Sequence, residues 1–277
     1  MGKKVFIFDV SKCSGCRNCQ IACKDEHVDN DWSPYALPQP DTGQFWTRIE
    51  EKVRGQVPKV KVAYTLRMCQ HCADAPCKKV APDAVIERDD GLVIIDPTKS
   101  KGREELVRAC PYGAIFWNEE LSVPQKCTGC AHLVDAGQIP HCVDVCPHGA
   151  IRFGDEEEFA TELAASEALE PERAEKDRPR VHYLNLPKRF LAGCVIDPEE
   201  DEVIIGAKVT AENVDSGQAR AVITDDFGDF WFHQVEAAHW RVYVEAEGFM
   251  TRVFDADTCE EDRNMGYLEL YRNQLQG

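Results

Sequence analysis

Cys13-Ser-Gly-Cys16-Arg-Asn-Cys19-Gln-Ile-Ala-Cys23 places four thiols in eleven residues at the spacing C-x2-C-x2-C-x3-C. A loop of this form wraps three thiols around one iron–sulfur cubane and sends the fourth to a neighbouring cluster. A structural zinc site uses two such thiols with a distant pair. A disulfide framework does not crowd four cysteines so closely. The reading requires partner cysteines in matching groups elsewhere in the chain.

Those groups are present. Cys69-Gln-His-Cys72-Ala-Asp-Ala-Pro-Cys77 is followed by Cys110-Pro111, and Cys127-Thr-Gly-Cys130 by Cys142-Val-Asp-Val-Cys146-Pro147. Cys110-Pro-Tyr-Gly-Ala-Ile-Phe116 and Cys146-Pro-His-Gly-Ala-Ile-Arg152 are near copies, the mark of an internal repeat. In a two-cluster unit the last cysteine of one motif serves the cluster held by the other. Cys13, Cys16, Cys19 and Cys146 then form one set, and Cys23, Cys127, Cys130 and Cys142 a second. Cys69, Cys72, Cys77 and Cys110 form a third, inserted in the middle. A fourth set would need thiols where Ala81, Ser100, Arg103 and Leu106 stand, and all four are missing together. The expectation is three [4Fe–4S] clusters, with side chains such as Leu106 filling the fourth position. A zinc-bound or empty inserted unit is the competing possibility.

Cys194 and Cys259 lie outside the twelve at no ligand spacing and are expected as small buried hydrophobes. His71 and His132 adjoin cluster cysteines, as tuning donors or as satisfied polar neighbours. Lys12, Arg17 and Lys126 flank the same cysteines, and local positive charge there eases reduction unless solvent screens it.

The chain has 277 residues and a net charge of −17, which disfavours nucleic acid or an anionic membrane as partner. No apolar run reaches the length of a membrane span. The run Val5–Phe8 breaks at Asp9, too soon for a signal peptide, so a cytoplasmic location is expected, with carriage by an exported partner left open.

Three regions are expected: a polyferredoxin domain over 1–153, an acidic helix and linker over 154–187, and a β-sandwich over 188–277. Within the first, Val5–Asp9 reads as a strand, Ala84–Arg88 and Leu92–Asp96 as a hairpin turned by Asp90-Gly91, and 101–109 as a helix. Phe159 and Leu163 are the expected packing face of the acidic helix. Beyond residue 188, alternation in Phe230/Phe232 and Trp240/Val242/Val244 gives strands with one buried face, a small antiparallel sandwich. The fold class is therefore α+β, a nested double bacterial-ferredoxin-like domain followed by the sandwich.

The four cysteine groups and their nested order resemble the iron–sulfur electron-transfer subunits of the molybdopterin (dimethyl-sulfoxide-reductase) family. Leu92-Val-Ile-Ile-Asp-Pro, Trp117-Asn-Glu-Glu and Gln125-Lys-Cys-Thr resemble in particular the small subunits of pyrogallol–phloroglucinol transhydroxylases. Resorcinol hydroxylases and catechol dehydroxylases are similar systems. The tail Gly193-Cys-Val-Ile-Asp to Tyr243-Val-Glu-Ala-Glu-Gly-Phe249 resembles transthyretin-like or carboxypeptidase-regulatory-like sandwiches. The resemblance implies a large molybdopterin-bearing catalytic partner that acts on a polyhydroxylated aromatic. This chain would carry electrons and no catalytic residue. A free-standing polyferredoxin, a molybdenum reductase subunit for a non-aromatic substrate and a zinc-stabilised binding module are the alternatives.

Overall fold

The computed structural model describes residues 2–273. The backbone divides into two compact units, residues 2–51 with 64–186 and residues 52–63 with 187–273.

The first unit opens with strand β1 (Lys4–Asp9) and helix α1 (Asn18–His27). Strands β2 (Thr47–Gln56) and β3 (Lys59–Met68) pair as a two-stranded ribbon. Their outer residues group with the second unit, which the expected boundary at residue 188 did not include. Helix α2 (Pro76–Val80), strands β4 (Val85–Glu87) and β5 (Val93–Ile95), helix α3 (Glu105–Ala109), and strands β6 (Phe116–Asn118) and β7 (Val123–Gln125) make the inserted part. The β4–β5 hairpin turns at Asp90-Gly91 as its dipeptide dictates. Helix α3 starts later than the pattern from residue 101 suggested, because Gly102 sits at φ +77°.

Helices α4 (Ala131–Asp135) and α5 (His141–Asp144) precede strand β8 (Ile151–Asp155). The 154–187 segment carries two short helices rather than one, α6 (Ala160–Ala165) and α7 (Pro171–Asp177), then strand β9 (Val181–Leu184). Pro171 opens α7 and divides the run. Phe159 and Leu163 are only half-buried, because this segment adds its packing through β9 instead. β1 lies between β8, antiparallel, and β9, parallel. Phe6, Phe8, Leu66 and Tyr183 are fully buried around this sheet.

The second unit is a sandwich. One sheet has the order β11 (Glu202–Val203), β10 (Arg189–Asp197), β14 (Asp229–Val235), with β17 (Arg263–Glu269) also on β10. The other runs β13 (Ala219–Ile223), β12 (Lys208–Asn213), β15 (His239–Glu245), β16 (Arg252–Asp257). The expected wholly antiparallel pattern fails at one pair, since β17 runs parallel to β10. The chain reaches β17 from the opposite sheet, so no tight hairpin fixes its direction. Phe230, Phe232, Trp240, Val242 and Val244 all point inward, as their alternation requires. Full burial of each such side chain contributes about 1.5–3 kcal/mol.

Candidate iron–sulfur centres

Three short loops repeat one local geometry. The residue before the second cysteine of each C-x-x-C takes a left-handed backbone: Gly15 at φ +72°, His71 at +44° and Gly129 at +67°. Its amide donates to the sulfur of the first cysteine, at 3.4 Å from His71 to Cys69 and 3.3 Å from Gly129 to Cys127. Gly15 does the same for Cys13. Glycine adopts this conformation freely, whereas His71 holds it against a steric cost. The turned loop points an N–H dipole at the sulfur of its first cysteine.

Cys13, Cys16, Cys19 and Cys146 line one small cavity, with Phe8, Ile49 and Ile151 as its apolar wall. Cys16 is exposed, Cys13 and Cys146 are half-buried, and Cys19 is buried. Burial, then the charges of Cys13 and Cys146, push the Cys19 thiol up to about 12.

The second gathering is wholly buried. Burial first, then the neighbouring Cys130, Cys23 and Cys127, push Cys142 far above an ordinary thiol. Cys127 is raised by burial and by Cys23, and Cys130 rises to about 12 by burial and the same neighbour. Cys19 and Cys23 stand one turn apart on α1, so a single helix serves two gatherings.

In the third, Cys69, Cys72 and Cys77 are buried and Cys110 half-buried. Burial raises Cys72, with Cys69, Cys110 and Cys77 adding like charge, and Cys77 is pushed up to about 11. The amide of Ala114 donates to Cys110 at 3.4 Å. Cys19 is among the charges felt by Cys142, and Cys69 among those felt by Cys127. The gatherings therefore follow in the order Cys13 set, Cys127 set, Cys69 set.

Such thiols resist ionisation while metal-free, and an iron cluster supplies the positive charge that stabilises their thiolates. The donor chemistry fits [4Fe–4S] centres. At the missing fourth position, Ala81 and Leu106 are fully buried and pack with Cys72, Cys77, Val93 and Ile115. Ser100 is also buried, and Arg103 turns out to Asp83 at 2.7 Å.

Of the flanking groups, Lys12 and Arg17 are half-exposed and pair with Asp9 and Glu51. Lys126 is buried instead. His132 donates or accepts at Glu26 (2.9 Å) and stacks on Trp32, at 4.0 Å between ring centroids. His71 accepts from the Val93 amide at Nδ1, 3.0 Å. Sequence reasoning missed His27, whose Nε2 lies 4.0 Å from Cys130 Sγ. Its signal was its place four residues after Cys23 on α1. Burial, then His132 and His141, hold its imidazole down at about 3, so it is neutral.

Cys194 is buried as expected, but Cys259 is exposed, since it sits in the turn after β16 with His239 and Asp257. Both are free thiols.

A chain that gathers thiols in these repeats and also carries a sandwich is a polyferredoxin-type iron–sulfur protein. A 4Fe-4S dicluster domain family matches residues 60–156, and a carboxypeptidase regulatory-like domain family matches 191–264. The pyrogallol hydroxytransferase small subunit of Pelobacter acidigallici is 36% identical over 90% of this chain and 92% of that one. A tetrathionate reductase subunit of Salmonella typhimurium is 32% identical over 67% of this chain and 73% of its own. An anaerobic dimethyl sulfoxide reductase component of Escherichia coli is 32% identical over 64% and 83%. This chain therefore belongs to the family of iron–sulfur subunits that these proteins represent. Its members are electron-transfer subunits of molybdopterin enzymes. Among the described residues, no helix is long and apolar enough to cross a membrane.

Proposed function

We propose that this chain holds three [4Fe–4S] clusters and conducts single electrons to or from a large molybdopterin-bearing subunit that transforms a polyhydroxylated aromatic. Cys13, Cys16, Cys19 and Cys146 hold one cluster. Cys23, Cys127, Cys130 and Cys142 hold the second, and Cys69, Cys72, Cys77 and Cys110 the third. The clusters supply one-electron redox chemistry. The polypeptide excludes water, fixes their spacing and donates backbone N–H groups to their sulfurs.

One observation supports the reading above all: Cys146 lines one cavity with Cys13, Cys16 and Cys19, and Cys23 lies close to Cys127, Cys130 and Cys142, although each is far from them in sequence. The likeness over 90% of the chain to a pyrogallol hydroxytransferase small subunit supports the aromatic substrate class and the catalytic partner. Residues 1–153 serve the clusters, 154–187 complete the sheet of that unit through β9, and 188–277 serve assembly or recognition. The packing of Ala81 and Leu106 supports a count of three rather than four.

Iron and acid-labile sulfide analysis of the anaerobically purified complex tests the assignment, with about twelve irons per chain expected. About sixteen would restore a fourth cluster, and about eight would remove the third. Co-purification of a large molybdenum subunit tests the partner, and a colourless zinc protein would end the reading.

A further inference from the structure

Lys126 is 3% exposed, between the Cys69 and Cys127 gatherings. Its Nζ donates to the Cys127 carbonyl at 3.0 Å and to the Val93 carbonyl, with the Cys69 sulfur among its neighbours. An ammonium has three donors and no acceptor capacity, and the two carbonyls take two of them. None of these partners is a carboxylate. The negative groups it faces are the sulfurs of Cys69, Cys77 and Cys127, which belong to two different sets.

Val93 fixes the arrangement from both sides. Its carbonyl receives Lys126, and its amide donates to His71 Nδ1 at 3.0 Å. A ring that accepts at Nδ1 is neutral, so His71 adds no charge. Asp177, beside Cys72, is paired with Arg173 at 3.7 Å. Lys12 and Arg17, the basic residues near the Cys13 set, are exposed to screening and paired with carboxylates. Lys126 is thus a desolvated cation whose charge is balanced by cluster ligands.

A buried charge interacts far more strongly with its surroundings than a solvated one. Adding an electron to either neighbouring cluster adds negative charge facing this ammonium. We infer that Lys126 is a positioning charge shared by the Cys127 and Cys69 clusters, which raises both reduction potentials relative to the Cys13 cluster and draws electrons to that pair. This rests on the ligand sets proposed above.

The test is an EPR-monitored potentiometric titration of the intact complex carrying Lys126→Met, with each signal assigned by a Cys→Ser ligand replacement. The expected result is a downward shift in two of the three midpoints by at least tenfold in the reduction equilibrium, 59 mV for one electron. The Cys13 cluster should shift less than either. Lys126→Arg, which keeps the charge, should restore both midpoints. Unchanged midpoints with full iron content, or equal shifts in all three, would overturn the inference. Should Lys126→Met lose iron, Lys126→Gln keeps donors for the two carbonyls and removes only the charge. Loss of iron in Lys126→Gln as well would make Lys126 an assembly residue and overturn the electrostatic role. Absence of three [4Fe–4S] signals in the unaltered protein would instead refute the cluster assignment itself.

Discussion

The two units of this chain hold themselves together by different means. The sandwich core is made of Leu191, Val195, Phe230, Phe232, Trp240 and Val242, with no cysteine. The main core of the first unit places Cys19, Cys23, Cys69, Cys127 and Cys142 among its buried side chains. Apolar burial suffices for the sandwich, since its groups have no reason to return to water. The first unit buries thiols that become an asset only when metal binds them, so its stability is tied to iron. The contrast shows that one chain can contain a unit indifferent to cofactor and another defined by it.

The largest break in that contrast should come from Cys23→Ala. It should remove about four irons, those of the Cys127 set, and leave the Cys13 cluster in place. Hydrogen exchange should quicken in residues 64–186 while β10 to β17 stay protected. Spectroscopy that showed the Cys13 cluster lost and the Cys127 cluster intact would disprove the cross-ligation.

The reciprocal change is Phe232→Ala, which empties a fully buried site in the sandwich at a cost of about 3–5 kcal/mol. In denaturant, hydrogen-exchange protection of β10 to β17 should be lost earlier, while visible absorption of the clusters keeps its midpoint. Leu106→Ala should do the opposite, costing the first unit about 2–5 kcal/mol. A common shift of both probes in either variant would mean that the units do not unfold independently.

Acid sharpens the distinction. His27 is neutral down to about pH 3 in the folded chain, against about 6.5 when unfolded. Between those values the unfolded state binds a proton that the folded one lacks. The His27 contribution is therefore flat above about pH 6.5 and falls below it, by up to about 1.4 kcal/mol per pH unit. Hydrogen exchange at pH 5 should show opening around α1 before the sandwich strands. His27→Gln should flatten that slope, and an unchanged slope would assign the acid sensitivity to other groups.

The smallest effect should be that of Arg17→Ala. Its pair with Glu51 at 3.4 Å is half-exposed on both sides, worth about 0–1 kcal/mol. A thermal shift exceeding that range would show that exposed charge near the Cys13 loop matters more than burial indicates.

Much of this was written locally. Cysteine spacing defines the gatherings because each loop is a short turn, and alternation at Phe230/Phe232 reports a half-buried strand without reference to anything distant. Asp90-Gly91 sets its own hairpin. What escaped depends on groups brought together by the tertiary fold. Lys12, Arg17 and Lys126 look alike beside their cysteines, yet only Lys126 is enclosed, by Val93 more than thirty residues earlier. His27 gains meaning from Cys130 at the start of another helix, and β9 from β1 at the far end of the chain. The grouping of 52–63 with the sandwich was equally invisible, because the strands of a ribbon carry no mark of where one unit ends.

The proposed nesting of the ligand sets also bears on how the protein is made. As the chain leaves the ribosome, the loop with Cys13, Cys16 and Cys19 emerges first, but its proposed fourth ligand, Cys146, emerges last of the twelve. The inserted set is complete once Cys110 has appeared. Iron delivered during synthesis can finish the innermost centre first, while the outer two wait until the ends of the nest close over it. The outermost loop meanwhile offers three reactive thiols with no fourth. The strand pairing of β1 with β8 brings the Cys13 loop toward Cys146. A cell that builds this protein must guard its first cysteines longest.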